Sequence, residues 1–338
     1  MKTVYFVTGG CGFIGANFIQ YLLNKTKPKS VINLDKLTYA GNPKNLSDVD
    51  NDDRYIFVHG DICDEKVVDE IFSDYHPDIV FNFAAESHVD RSIGKPDDFI
   101  RADMFGVFTL LEAMKLHGGE LFVQISTDEV YGSIEKGEFT ETDPLMPSNP
   151  YSASKAGGDR LAYSYYVTYK LPVIVTRASN NYGPFQYPEK LIPLFVTNAL
   201  EDQPLPLYGD GNNVRDWLYV EDHCSALHFI MTNGVLGETY NIGGGNEMQN
   251  IEITRLILDH LNKPESLIRF VEDRQGHDRR YALNCDKINQ LGWEPKYDFS
   301  EGIRRTIDWY VSNDSWWRKI KSGEFREYYD QAYNLSVI

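Results

Sequence analysis

Tyr151 and Lys155 stand four residues apart in Tyr151-Ser152-Ala153-Ser154-Lys155, a spacing that puts two side chains on one face of a helix. A free tyrosine ionises near pH ~10 and is almost wholly protonated at neutral pH. A neighbouring ammonium favours the phenolate. The pair is therefore a candidate base that takes a proton from a hydroxyl as hydride leaves the same carbon, provided that something nearby accepts the hydride.

The start of the chain offers a place for such an acceptor. A short apolar run leads into Thr8-Gly9-Gly10-Cys11-Gly12-Phe13-Ile14-Gly15, which satisfies Gly-x-x-Gly-x-x-Gly and, from Gly10, Gly-x-Gly-x-x-Gly. Glycines permit the tight turn, bring backbone N–H groups close to a pyrophosphate, and let the following helix pack on the strand. The helix N-terminus adds unpaired donors and partial positive charge. Asp35 follows about 20 residues later at the end of the second strand, where an acid binds the adenosine ribose hydroxyls. A carboxylate there repels a 2′-phosphate, so the cofactor expected is NAD rather than NADP. Lys36, Leu37 and Thr38 continue that edge, and Asp61-Ile62, past the third strand, are placed by strand order to receive the adenine.

A third group of candidates is Ser126-Thr127-Asp128-Glu129. Successive strand residues point to opposite faces, so both acids reach one ligand only if the strand has ended by Thr127. The plainer reading of Asp128-Glu129 is a helical turn opening on acids that its dipole favours.

These groups need a scaffold, and the hydrophobic pattern supplies one. Strands are expected at Thr3–Thr8, Ser30–Leu34, Tyr55–Val58, Ile79–Phe83, Leu121–Ser126 and Val173–Thr176, with helices at Phe13–Leu23, Glu65–Phe72, Pro96–Leu116 and Tyr151–Tyr169. Apolar strands alternating with amphipathic helices mean βαβ units, hence an α/β fold with a doubly wound parallel sheet, the Rossmann arrangement. After about Asn180 prolines and glycines become denser, with helices expected at Glu189–Leu200, Glu221–Met231, Ile251–Leu261 and Ser300–Val311. Residues 1–180 read as the NAD-binding domain. Residues 181–338 read mainly as a smaller, mixed α/β substrate lobe interleaved with the last sheet elements, its aromatic, charged tail from Trp316 to Tyr333 reading as helix.

Composition narrows the partners. A formal charge of −17 over 338 residues argues against gripping a nucleic-acid backbone, but leaves open an anionic small ligand met by local donors. The four cysteines, Cys11, Cys63, Cys224 and Cys285, are scattered, which fits a reducing compartment and no metal site. With no bilayer-length apolar run and no signal-peptide pattern, a cytoplasmic enzyme away from membranes is expected.

Taken together, the glycine turn, Asn82-Phe83-Ala84-Ala85, Ser126-Thr127, Tyr151/Lys155, Arg177-Ala178-Ser179-Asn180-Asn181-Tyr182-Gly183-Pro184 and Arg215-Asp216-Trp217 resemble the extended short-chain dehydrogenase/reductase family over nearly the whole chain. Within it, Thr127-Asp128-Glu129 looks like the nucleoside-diphosphate-glucose 4,6-dehydratases; related epimerases typically lack the adjacent acids. The resemblance implies oxidation at carbon 4 of a thymidine- or uridine-diphosphate-glucose, loss of the 6-hydroxyl as water, and hydride return to carbon 6, an early step towards deoxysugars such as rhamnose. It implies Glu129 as base, Asp128 as acid and Thr127 holding the 4-hydroxyl beside Tyr151, with Ala84, Ala85 and Asn181 touching NAD. Ser87, Asn180, Lys190 and Leu191 look like substrate contacts, as do Pro206, Tyr208, Arg215 and Asn250, together with Arg274 and His277. The family also suggests a homodimer. One departure is Ala102-Asp103, where the family pattern commonly has Thr-Asn. The alternatives are a 4-epimerase or decarboxylase of the same family, which shares Tyr151, Lys155 and the NAD site, and a non-catalytic nucleotide-binding protein on the same fold.

Overall fold

The computed structural model describes residues 2–273 and 278–322. Strands β1 (Val4–Thr8), β2 (Ser30–Asp35), β3 (Tyr55–His59), β4 (Ile79–Asn82), β5 (Leu121–Thr127) and β6 (Val173–Ala178) alternate with helices α1 (Phe13–Lys25), α2 (Glu65–Tyr75), α3 (Val89–Gly94), α4 (Pro96–Ile100), α5 (Val107–His117) and α6 (Pro150–Tyr169). Beyond them come β7 (Asn180–Tyr182), α7 (Leu191–Leu200), β8 (Leu205–Tyr208), β9 (Val214–Tyr219), α8 (Val220–Asn233), β10 (Thr239–Ile242), β11 (Glu247–Gln249), α9 (Asn250–His260), β12 (Ile268–Val271), α10 (Asp286–Leu291), α11 (Phe299–Ser312) and α12 (Asp314–Ile320).

Seven strands form one sheet in the order β10-β6-β5-β4-β1-β2-β3, and its pairings are all parallel. The order reverses between β1 and β4, the switch point where such sheets bind ligands past the strand ends. The expected doubly wound sheet is present, and its seventh strand comes from residues 239–242, so the two halves of the chain interleave. Every residue of β1 is buried because the sheet is covered on both faces. Tyr5 and Val7 pack in one core with Phe18, Ile19 and Leu22 of α1 and Leu227 of α8. Val4 and Phe6 pack in the other with Val68 of α2, Leu110 of α5 and Ala162 of α6. A third core, with Trp217, Ile257, Ile307 and Trp317, fills the second lobe.

One departure from the sequence reading and one condition it set bear on the site. The single helix expected over Pro96–Leu116 is broken into α4, a π-helical turn at Arg101–Gly106 and α5. Here the chain presses on α6, where a Cβ at Gly158 would lie 2.2 Å from the Asp103 carbonyl oxygen. The turn after β5 is a 3₁₀ helix, Asp128–Tyr131, so the strand does end at Thr127.

Helix α6 carries Tyr151 and Lys155 and is fixed at its start by a capping box. Asn149 Oδ1 accepts from Ser152 N–H at 2.9 Å, and Asn149 N–H donates to Ser152 Oγ at 3.3 Å, which satisfies end groups that otherwise stay unpaired. Further along, Arg177 of β6 donates from Nε to Asp159 Oδ2 at 2.8 Å and from NH1 to the Tyr131 hydroxyl at 2.6 Å. Both ions are shut from solvent, at 1% and 0% side-chain exposure, and removing Arg177 leaves buried Asp159 with only the half-exposed Arg160 as its cationic partner. Arg177→Met is expected to lower stability by about 3–5 kcal/mol, read from the urea midpoint. A midpoint equal to wild type would show that this pair does not hold α6 to the sheet.

Candidate active site

The nucleotide end of the cleft is made by backbone. Gly9 sits at φ +65° and Gly15 packs so close that a Cβ would lie 2.4 Å from the Gly9 carbonyl oxygen. The N-cap of α1, Gly12, brings no side-chain cap, so the first N–H groups of the helix are left for an anion. Asp35 closes the turn, its Oδ2 accepting from Cys11 N–H and its Oδ1 from Leu37 N–H, each at 2.8 Å. Burial pushes the Asp35 carboxyl up and those two donors pull it back. Lys36, the adjacent cation, is committed to Asp61 at 2.7 Å. Open helix donors, a glycine cradle and a carboxylate at the second strand end fit a dinucleotide with free ribose hydroxyls.

One cleft of ≈ 1010 Å³ runs from this turn past the ends of β4 and β5, at the upper end of the range for small-molecule sites. Gly9, Gly12, Phe13, Ile14, Gly15, Asp35, Lys36, Thr38, Asp61, Ile62, Ala84 and Ala85 line it. Ser87, Thr127, Asp128, Glu129, Tyr151, Lys155, Asn180, Asn181 and Lys190 do so as well.

At its centre, Thr127 ends β5 and caps the 3₁₀ turn, its Oγ1 accepting from Glu129 N–H at 3.3 Å and donating to Asp128 Oδ1 at 3.1 Å. A 3₁₀ helix turns about 120° per residue, so neighbouring acids can both face the cleft. The dipole-favoured turn and the paired-acid reading thus describe the same geometry. Asp128 is buried, and its carboxyl is pushed up to about 8 by burial first and by the Glu129 charge second. Its Oδ2 has no hydrogen-bond partner among the described residues. Asp128 is therefore mostly a neutral acid at pH 7.

Tyr151 departs from the sequence reading. Its phenol is held well above the usual range by burial, then by the Glu129 and Asp103 charges, with Thr127 acting the other way. Desolvation and the nearby carboxylates thus favour the protonated phenol and outweigh the help expected from Lys155. Lys155 donates from Nζ to the Ile125 carbonyl at 2.6 Å, and its burial opposes its charge while Asp103 and Asp159 support it.

Other sequence candidates lie outside the cleft lining. Leu37 serves through its backbone; Leu191 opens α7. Pro206 and Tyr208 sit in the β8–β12 pair, opposite Arg269 and Val271. Arg215 donates to the carbonyls of Val214 at 2.7 Å and Asp278 at 2.8 Å and lies over the Tyr281 ring at 4.4 Å, while its charge reaches Asp128. Asn250 is buried with Oδ1 unpartnered among the described residues. Arg274 and His277 lie outside the described residues. The Asn181 side chain donates to the Ser179 carbonyl and faces His223 Nδ1, each at 2.9 Å.

Sequence reasoning missed a cluster in the cleft wall around Glu189. Tyr39 donates to Glu189 Oε1 at 2.9 Å, Arg91 stacks 3.7 Å over the Tyr39 ring, and Arg91 and His88 approach Glu189 at 3.7 and 3.9 Å. The partners are up to 150 positions apart, and no local motif marks them. His223, also in the lining, was missed for the same reason.

A family model described as GDP-mannose 4,6 dehydratase matches residues 6–306. The chain is 49% identical to the dTDP-glucose 4,6-dehydratase of Neisseria meningitidis serogroup B, over 95% of this chain and 96% of the relative. Among solved structures, DesIV, a dTDP-glucose 4,6-dehydratase from Streptomyces venezuelae with NAD and TYD bound, superposes with TM-score 0.92 at 49% identity, covering 94% of this chain and 100% of that one. The UDP-glucose 4-epimerase of Thermus thermophilus in complex with NAD gives 0.85 at 31% identity, covering 92% and 99%. The chain belongs to the GDP-mannose 4,6 dehydratase family, and within it stands with the dTDP-glucose 4,6-dehydratases.

Proposed function

We propose that this protein dehydrates dTDP-glucose to dTDP-4-keto-6-deoxyglucose and water, using NAD, for deoxysugar synthesis. The observation that carries the reading is Asp128, a carboxyl kept neutral by burial next to an acidic neighbour, in one cleft with Tyr151. A 4-epimerase needs no acid for a departing hydroxyl, so this arrangement favours the hydro-lyase. The thymidine nucleotide is favoured over uridine by the dTDP-glucose 4,6-dehydratases among the relatives and solved structures. Residues 1–180 are assigned mainly to NAD and the remainder mainly to the nucleotide sugar.

The residues that would hold NAD are the Gly9–Gly15 turn with Phe13 and Ile14, Asp35 to Thr38, Asp61, Ile62, Ala84 and Ala85, with Asn181 at the far end. NAD bound there supplies the hydride acceptor for carbon 4, the donor for carbon 6, and a positive ring charge that favours the Tyr151 phenolate. Tyr151, positioned by α6, takes the proton of the sugar 4-hydroxyl, which Thr127 orients. Oxidation makes the carbon 5 proton acidic; Glu129 removes it, and Asp128 gives its own proton to the 6-hydroxyl as that leaves as water. As hydride reaches carbon 6, Glu129 returns its proton to carbon 5; the proton gained by Tyr151 then balances the one lost by Asp128, and its transfer between them restores the site. Ser87, Asn180, Lys190, Leu191 and Arg215 are assigned to the nucleotide sugar, with Pro206, Tyr208 and Asn250 around its nucleoside.

Ile100, Met104, Phe105 and Phe108 expose large apolar side chains beside Tyr163 and Val167 of α6. An apolar face shared by α4, the π turn, α5 and the α6 helix packed on them fits a second copy, so a homodimer is proposed. The four cysteines are free, which supports a reducing cytoplasmic setting. No helix among the described residues is long and apolar enough to cross a membrane.

Purified protein given dTDP-glucose is expected to form a 4-keto-6-deoxy product, faster than with UDP-glucose; no such product from either would reject the dehydratase. Asp128 must be protonated to act, so the elimination step is expected to fall as pH rises through about 8. Asp128→Asn is expected to slow water loss about 10²–10⁴-fold while bound NADH still forms. Equal loss of both steps would remove its acid role. In Tyr151→Phe, bound NADH should itself fail to form on mixing with substrate. Phe108→Glu is expected to yield monomers in sedimentation velocity, and an unchanged dimer would place the interface elsewhere.

A further inference from the structure

The departure at Ala102-Asp103 puts a carboxyl where the resemblance leads one to expect a neutral amide. The π-helical turn carries Asp103 inward, to 1% exposure, against the start of α6. Ser154 Oγ lies 2.6 Å from Asp103 Oδ2 and 2.8 Å from the Tyr151 carbonyl oxygen. A hydroxyl has one proton, so it cannot donate to both at once. With Asp103 ionised, Ser154 donates to it. With Asp103 protonated, the carboxyl donates to Ser154 Oγ, and Ser154 turns its own proton to the Tyr151 carbonyl. The same three atoms therefore satisfy either charge state through rotation of one hydroxyl.

Asp103 Oδ1 is buried and has no hydrogen-bond partner among the described residues, which costs most when the group is charged. The charged and titratable groups that act on it are Lys155 of α6, which favours the carboxylate, and Glu86 of the loop after β4, which opposes it. Burial dominates, and the carboxyl is pushed up to about 7. Its charge is felt in turn by two groups of the site: it supports the Lys155 ammonium and opposes ionisation of Tyr151.

We propose that Asp103 is a positioning residue of this active site, a buried carboxyl whose protonation state, accommodated by rotation of the Ser154 hydroxyl, sets how readily Tyr151 ionises beside Lys155. It rests on the reading of Tyr151 as the base. The neutral state removes a negative charge from beside the phenolate when the sugar proton must be taken. The charged state holds Lys155 as ammonium between turnovers. The switch requires an ionisable group, and an asparagine at this position cannot supply it.

The test is the pH dependence of bound-NADH formation in single turnover, followed in the holoenzyme for wild type, Asp103→Asn and Ser154→Ala. Asp103→Asn removes the charge without changing the shape, and its acid-side midpoint is expected to move down by about one unit. Ser154→Ala leaves the carboxyl but removes the donor that favours its charge, so its midpoint is expected to move the same way by less. Midpoints matching wild type in both variants, with NAD content and melting temperature retained, would overturn the proposal. Should Asp103→Asn fail to fold, the Ser154→Ala midpoint decides alone. Tyr151→Phe in the same assay separates the two readings. If it abolishes NADH formation while Asp103→Asn leaves the midpoint in place, only the Asp103 inference falls; if it forms NADH normally, the base assignment falls and takes this inference with it.

Discussion

The hydrogen bond from Lys155 Nζ to the Ile125 carbonyl is the constraint on which the site turns. It joins α6 to β5 two residues before that strand ends. Tyr151, one turn earlier on α6, is thereby brought to the side chains that follow β5, so groups far apart in sequence share one cleft. A buried ammonium has a cost that a single carbonyl does not offset. The surrounding fold supplies the rest as charge: Asp103 on one side and Asp159 on the other. Asp159 is itself fixed by Arg177 of β6, so the tie at Lys155 is repeated one turn further along the helix.

The same desolvation prepares the acid. Aspartate appears in this protein at opposite extremes. Asp210, at the surface and bonded to Arg279, is held well below the usual carboxylate range, whereas Asp128 is held far above it. Residue type is identical, so environment alone decides which one carries a proton at neutral pH. Asp128 stays protonated because Thr127 gives it one weak bond at 3.1 Å, the Arg215 charge only partly offsets burial, and Glu129 stands next to it. A strong donor at Oδ2 would make it an ordinary carboxylate.

What the sequence made legible follows from the range of each signal. The glycine turn and Asp35 could be read because a tight backbone turn needs glycine at fixed positions, and a strand end needs its acid a set distance on. Tyr151 and Lys155 share a face through helical geometry alone. The sheet followed from short apolar runs, except β10, whose four residues Thr239–Ile242 lie in a segment where turn-forming residues blur the pattern. The π turn at Arg101–Gly106 was not legible: the apolar spacing from Pro96 to Leu116 fits one continuous helix, and the turn lies in a close contact with Gly158 that local spacing does not encode. Glu189, Tyr39 and Arg91 were invisible for a simpler reason, since their contacts join segments far apart in the chain. The raised Tyr151 phenol belongs with them, because spacing reveals Lys155 but not the carboxylates that outweigh it.

A dehydratase and an epimerase lie nearly as close to this backbone, at TM-scores of 0.92 and 0.85. The fold therefore cannot select between their reactions. Both chemistries need a hydride acceptor held past the strand ends and a base on the α6 helix. Elimination adds one requirement: a proton must be waiting in the site when the sugar hydroxyl leaves. Under the proposed reading that proton sits in the turn from Thr127 to Glu129, where a strand stops one residue before its first acid and both acids line the cleft. On that reading the choice of reaction depends on where β5 ends and on how little water reaches Asp128.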